Sequence, residues 1–354
     1  MKVALYTDSD VFAGTERHIL DLALGLRPLV ETVRVACPGG SPLACRAQEH
    51  GLPVMDIPKR GLFDRAAATR LSGALQQREI DLVHAHNGRT HLAAAAAARW
   101  AGRGHCVATQ HFIQPNRESR QGLAAMATHA VHGWAASATW RFIAISQAVA
   151  EGMRRRRDAP PDRIRVVLHG IGDDHETRET ARAQLGIDPQ TKLVLCLSRL
   201  EPEKDVGTLI DAMRQLEDTS CWIAGDGQQR PELEGRAGNV RLLGFRHDAR
   251  TLMAACDLLV LPCPIEAFGL VLLEAMVHGK PVVAIKAGGP AEIVEHGRTG
   301  FLVPPRQPAE MAGALRRLLD DEPLRLGMGS AGRKRYEALF TRERMAKATL
   351  EAYQ

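Results

Sequence analysis

Apolar residues along this chain fall into short continuous runs separated by longer stretches where they recur at helical spacing. The runs Val3–Thr7, Val33–Cys37, Leu82–Ala85, Cys106–Thr109, Phe142–Ile145 and Val166–Leu168 predict strands. Between them, Glu16–Leu26, Ala66–Arg78, Thr90–Ala101 and Gly122–Ser137 have the amphipathic or alanine-rich pattern of helices. A glycine- and charge-rich stretch, Gly170–Glu176, breaks this rhythm. It then restarts with Leu193–Ser198, Cys221–Ala224, Val240–Leu243, Leu258–Leu261, Val282–Ile285 and Phe301–Val303. Strands alternating with helices imply βαβ units and parallel sheets. Two such series predict two doubly wound α/β domains, over residues 1–168 and 169–340. A last helix, Thr341–Tyr353 with Thr341 as N-cap, forms a segment 341–354 able to pack back on the N-terminal domain. Ligands of open α/β sheets bind beyond the carboxyl ends of the strands, so two facing sheets would share an interdomain cleft.

At 354 residues the chain is too long for one ordinary core. Its 45% hydrophobic and 25% charged residues are those of a soluble globular protein. Lys2–Thr7 leads straight into a strand and not a signal peptide, and no apolar run nears the ~20 residues of a membrane span. Seven scattered cysteines without a C-x-x-C pair point to free thiols in a reducing cytoplasm. The net charge of +5 is uneven: residues 1–168 hold 22 Lys and Arg against 14 Asp and Glu. A basic first half suggests an anionic partner, such as a lipid-linked acceptor or the inner face of the plasma membrane. With 4% aromatic residues, base stacking on nucleic acid is not expected. The run Arg154–Arg157 is either a solvated helix end or a lipid contact. Between Arg117 and Arg141, Trp134 and Trp140 are expected in the core, with an interfacial face as the alternative.

Candidate chemistry concentrates after predicted strands. In Pro264–Glu274, Glu266 and Glu274 flank an apolar stretch containing Phe268, Gly269 and Leu270. A glycine loop followed by a helix N-terminus offers backbone N–H groups to a phosphate. Ionised glutamates are pure acceptors, suited to sugar or ribose hydroxyls. Together they suggest a nucleotide-sugar site. His84 and His86 share one strand face, but two imidazoles without a further thiolate or carboxylate make a weak case for a metal, and none is expected. No G-x-G-x-x-G follows the first strand, which argues against a nicotinamide dinucleotide.

These features resemble the retaining glycosyltransferases of the GT-B fold, family 4, over nearly the whole chain. The resemblance implies two Rossmann-like domains facing an interdomain cleft. It puts Glu266 at the donor sugar, Glu274 at the ribose, and the backbone of Phe268, Gly269 and Leu270 at the sugar and diphosphate. Ser198–Asp205 is similar to the family's segment in which an arginine and a lysine, here Arg199 and Lys204, clamp the diphosphate. With those two cations no divalent metal is required. Phe12–His18 is similar to the family's G-G-x-E loop, with Ala13 in place of the first glycine and Gly14 approaching the diphosphate. His111 is expected near the donor sugar and acceptor hydroxyl, with a pKa suited to orienting the sugar or sharing the proton. His86 is expected to line the acceptor pocket. Gly225 belongs to a G-x-G turn, and Phe245 lies where the family's backbone holds the nucleobase. Gly288–Glu292 closes the site, and His169-Gly170 stands where the family more often has Asn-Gly.

The implied activity is metal-independent transfer of a sugar from a UDP or GDP sugar, a co-substrate and not a cofactor, to a glycan or lipid-linked acceptor. Lipopolysaccharide, exopolysaccharide or glycolipid synthesis is the expected setting. An epimerase would need an acid/base pair at the sugar, and a phosphorylase of the glycogen type a cofactor lysine; neither is recognised. A non-catalytic nucleotide-sugar-binding partner is disfavoured by the presence together of Arg199, Lys204, Glu266 and Glu274.

Overall fold

A computed structural model of the protein describes residues 1–61, 64–113, 123–236 and 238–354. Arg117 and Gly122, which enter two of the expectations above, lie outside the described residues. The chain divides into two compact units, Met1–Gly172 together with Thr341–Gln354, and Asp173–Phe340.

The first unit is built on a seven-stranded sheet. Its elements are β1 (Lys2–Tyr6), α1 (Gly14–Leu26), β2 (Thr32–Cys37), α2 (Pro42–Glu49), β3 (Val54–Asp56), α3 (Arg65–Gln76), β4 (Leu82–Ala85) and α4 (Gly88–Ala101). They continue as β5 (His105–Gln110), α5 (Leu123–Ser137), β6 (Arg141–Ala144), α6 (Gln147–Arg156) and β7 (Ile164–Val166). The strand order is β3-β2-β1-β4-β5-β6-β7, with parallel pairing throughout. In register, Val3 lies beside Val33 on one side and Leu82 on the other. Helices cover both faces, so β4 is buried at every position and reads as an unbroken apolar run, not an alternation. Successive alanines Ala93–Ala97 of α4 are buried, and such small side chains let α3, which packs on α4, come close.

The second unit holds a six-stranded sheet. It runs α7 (Arg178–Leu185), β8 (Leu193–Leu197), α8 (Val206–Met213), β9 (Ser220–Ala224), α9 (Arg230–Glu234), β10 (Val240–Gly244), α10 (Ala249–Ala255) and β11 (Leu258–Leu261). Then come α11 (Leu270–Val277), β12 (Val282–Ile285), α12 (Pro290–Ile293), β13 (Gly300–Val303), α13 (Pro308–Asp320) and α14 (Glu322–Leu339). Its order, β10-β9-β8-β11-β12-β13, is again parallel. Each sheet reverses its winding once, between β1 and β4 in the first and between β8 and β11 in the second. Such a reversal opens a crevice at the strand ends where doubly wound proteins bind ligands.

The last helix, α15 (Arg342–Ala352), is capped by the Thr341 hydroxyl, as its sequence predicts, and packs on α1. Asp21 of α1, 1% exposed, accepts hydrogen bonds from Nε and Nη2 of Arg342 at 2.9 and 2.7 Å. At the far end of α15, the Tyr353 hydroxyl lies 2.8 Å from Nδ1 of His84. One expectation needs correction. Trp134 and Trp140 are 40% and 39% exposed, not core; Trp140 lies against His105 and under the Arg141 guanidinium. In the arginine run, Arg156 folds back onto Asp158 and the Ile113 carbonyl. Arg154–Arg156 form the last turn of α6, where positive charge meets the helix dipole favourably.

Candidate active site

In the second unit, the loops after the adjacent strands β8 and β11 carry the expected site residues. After β8 the chain makes a short 3-10 turn, Pro202–Lys204, and Asp205 takes a left-handed conformation at φ 50° before α8. This turn holds Lys204 where its ammonium meets Oε2 of Glu266 at 2.7 Å, with both side chains 19% exposed. Burial alone would lower the Lys204 pKa, but the Glu266 carboxylate and Cys263 together leave the value raised. A second tie joins the same loops: the Cys263 thiol donates to the Glu203 carbonyl at 3.3 Å. Arg199 is more open and pairs with Glu203 at 2.9 Å.

Glu266 faces the lysine and does not cap α11. The N-cap is Gly269, at φ 99°, and no side chain caps the helix. That left-handed residue turns the chain sharply enough to aim the first N–H groups of α11, beginning at Leu270, out of the loop. The Phe268 side chain is buried, edge-on to Phe340, so only its backbone can serve a ligand. From β12, Gly288 at φ 56° and Gly289 approach this loop, and the Gly289 N–H donates to the Glu266 carbonyl at 3.0 Å. A Cβ on Gly289 would stand 2.3 Å from the Phe268 Cα. Glu274 lies on α11, half-buried, with its carbonyl accepting from His278. Gly225, at φ 147°, packs so tightly on the β8 loop that a Cβ would lie 1.9 Å from the Ser198 oxygen. Its N–H donates to the Gly244 carbonyl at 2.8 Å. Next to that bridge Phe245 is 67% exposed, with His247 against its edge.

In the first unit, Gly14 opens α1 just after β1. Ala13 is extended, at φ −133°, a conformation that alanine adopts as readily as glycine. Its N–H is bound by the Glu16 carboxylate at 2.9 Å. His86 and His111 directly follow β4 and β5, and Nδ1 of His86 lies 3.3 Å from Nε2 of His111. Sequence reasoning did not place two further histidines in this cluster and noted His169 only where the family more often has Asn. His18 of α1 lies with its ring centroid 5.4 Å from His86 and 5.1 Å from His111. His169 lies 4.2 Å from His18 and stacks on His111 at 5.6 Å. The signal for His18 was its place four residues before Leu22 on the buried stripe of α1. His84 turns away to Tyr353 and to the Thr109 hydroxyl at 2.6 Å. Burial pushes His111 down to about 3, which corrects the expectation of a pKa suited to proton sharing. The ring is neutral at physiological pH and acts as a hydrogen-bonding group. Asp8 and Asp10, spaced as a metal-binding pair, are each taken up by cations: Asp8 by Arg89 at 2.8 Å and Asp10 by Lys59 at 3.0 Å.

Comparison with known proteins converges on one group. Residues 12–175 match the family model Glycosyltransferase Family 4, and residues 177–335 match Glycosyl transferases group 1. The alpha-maltose-1-phosphate synthase of Mycolicibacterium smegmatis is 29% identical, across 100% of this chain and 99% of that protein. The lipopolysaccharide core biosynthesis glycosyltransferase LpsE of Rhizobium meliloti is 30% identical over 53% of this chain and 57% of its own. Among solved structures, HepE of Anabaena in complex with UDP-glucose superposes with a TM-score of 0.85 at 27% identity, covering 99% of this chain and 98% of that one. Two parallel α/β units and two consecutive family matches place the chain among the family 4 glycosyltransferases of GT-B fold.

Proposed function

We propose that this glycosyltransferase moves a sugar from a nucleoside diphosphate to an acceptor hydroxyl with retention at the anomeric carbon and without a metal ion at the diphosphate. The observation that carries the reading is the Lys204–Glu266 contact beside an uncapped α11 N-terminus. It offers in one place a cation, a hydroxyl acceptor and the N–H groups of a helix start. In this reading Arg199 and Lys204 hold the diphosphate, with N–H groups of Phe268, Gly269 and Leu270 beside them. Glu266 accepts from sugar hydroxyls and Glu274 from the ribose. Phe245 and the Gly225 turn border the base. In the first unit, Gly14 is the residue we assign to the diphosphate, His86 to the acceptor and His111 to the sugar.

The transfer breaks the bond from the anomeric carbon to the diphosphate oxygen and forms one to the acceptor oxygen on the same face. The acceptor proton passes to the departing phosphate oxygen. Charge-assisted bonds from Lys204 and Arg199 strengthen as the leaving group gains charge, which lowers the barrier. The cations that already occupy Asp8 and Asp10 support the metal-free reading. UDP is the preferred nucleotide, on the likeness to a chain solved with UDP-glucose. The basic first half and the likeness to a lipopolysaccharide core enzyme favour a glycan or lipid-linked acceptor at an anionic inner membrane face. No helix among the described residues is long and apolar enough to cross a membrane.

A panel of UDP and GDP sugars, assayed with EDTA for nucleotide release and by NMR for the product anomer, tests the reading. Release of UDP with an α-linked product from an α-linked donor is expected. Inversion, isomerised donor, or binding without turnover on any acceptor overturns it.

A further inference from the structure

In the first unit, α3, α4 and α5 enclose a groove of about 410 Å³. That volume falls within the range of about 300–1,000 Å³ usual for small-molecule sites. Ala68 of α3 and Leu92, Ala93 and Ala96 of α4 are nearly buried and line it. Trp100 and Trp134 stand beside them, 47% and 40% exposed. The surface of the groove is almost entirely carbon. Two open indoles beside an apolar hollow form a patch, not a pair of scattered surface hydrophobes.

The chemistry of the groove selects its occupant. A peptide would bring N–H and C=O groups that carbon walls leave unpaired, at a cost. A two-fold dimer centred here would set hollow against hollow. A hydrocarbon chain meets neither difficulty. Charge then selects the head group. The helices α3, α4 and α5 carry four arginines, Arg65, Arg70, Arg89 and Arg99, and no carboxylate. Arg65 lines the groove and Arg99 precedes Trp100; both are exposed and have no ion-pair partner among the described residues. Asp64, the carboxylate on the wall, is taken up by the N–H groups of Arg60 and Ala67. Both α3 and α4 begin at the end of the sheet where His86 follows β4. From Leu92 to Trp100 the groove runs about 12 Å along α4, away from that end. We propose that it holds the hydrocarbon chain of an anionic lipid-linked acceptor, with the phosphate at Arg65 and the glycan towards His86. This inference rests on the reading of the protein as a transferase acting on such an acceptor.

A test without donor sugar uses ω-bromododecyl phosphate, kept below its micellar concentration, as a contact quencher of tryptophan fluorescence. Saturable quenching at micromolar Kd is expected. Ala96→Phe, which fills the groove, and Arg65→Glu, which repels the head group, should each weaken it roughly tenfold or more. Trp140→Phe should leave it unchanged, because that ring lies against His105 and does not line the groove. Absence of saturable quenching, or quenching that Ala96→Phe does not alter, overturns the proposal. Should Ala96→Phe fail to fold, the double change Trp100→Phe with Trp134→Phe decides: lost quenching supports the site, and persistent quenching overturns it. Binding only to phosphatidylglycerol vesicles would give this face to a bilayer, and a dimer broken by Ala96→Phe would give it to a second copy; either overturns the proposal. The donor panel can fail while the groove still binds the probe, so the two readings fail separately.

Discussion

Lys204 and Glu266, 62 residues apart in sequence, meet at 2.7 Å because their loops leave neighbouring strands at the reversal of the second sheet. The pair sets the direction of two candidate site side chains at once. With Lys204→Met or Glu266→Gln, kcat should fall about 100- to 1,000-fold, the usual effect of removing one preorganised electrostatic contact. Circular dichroism should stay unchanged. Steady-state kinetics on the accepted donor check it, and near-normal rates in both variants would sink the assignment.

Gly289 governs the same loop by its lack of a side chain. A methyl group there would meet the Phe268 Cα at 2.3 Å, so Gly289→Ala must push the Glu266–Phe268 backbone away. A loss of about 1–3 kcal/mol in urea unfolding is expected, as for other overpacked sites. Donor KM should rise with it, because the displaced segment carries both Glu266 and the start of α11. An unchanged KM would separate the loop from donor binding.

Histidine burial makes stability depend on pH. His84 and His111 are pushed down to about 3, against an unfolded value of about 6.5, so between those limits the unfolded chain binds more protons. Their contribution is complete above about pH 6.5 and shrinks as pH falls towards 3, by about 1.4 kcal/mol per pH unit for each histidine. Urea midpoints at pH 7.5, 6.0 and 5.0 should therefore decline, and His111→Asn should flatten the decline. A midpoint that holds steady to pH 5 would contradict the burial of these rings.

Asp21 is the buried partner of two arginines, Arg342 on Oδ1 and Arg17 on Oδ2 at 2.9 Å, and Gly172 also donates its N–H to it at 3.3 Å. Replacing Asp21 by alanine removes this partner from both Arg342 and the more exposed Arg17. We expect a loss of about 3 kcal/mol, at the lower end for broken buried pairs because Arg342 keeps some access to water. Chemical denaturation followed by circular dichroism measures it. A change under about 0.5 kcal/mol, the level of an ordinary surface substitution, would mean that α15 is held by apolar packing alone.

The strands were legible because parallel sheets covered on both faces need unbroken apolar runs such as Leu258–Leu261, which cannot be mistaken for a solvated loop. β3 escaped notice because three residues after Pro53, ending in Asp56 at a sheet edge, carry no such run. Glu266 stood out as a carboxylate in the loop after a strand, and Lys204 and His111 through the resemblance to family 4. Their partners did not. Nothing local tells Lys204 that it will face Glu266, or Asp21 that Arg342 will reach it from α15. The histidine cluster failed for the same reason: His18, His86, His111 and His169 come from four separate segments, and only strand order brings them together.

Because Asp173–Phe340 is threaded between the two stretches that make up the first unit, synthesis order and structural order differ. The second unit is continuous and has every residue it needs as soon as Phe340 has been made. The first unit must wait, its α1 face bare and Asp21 unanswered, until α15 has left the ribosome. Folding in the cell therefore has a built-in interval during which the earlier-made unit is the unfinished one, and its exposed α1 surface is where a chaperone would be needed.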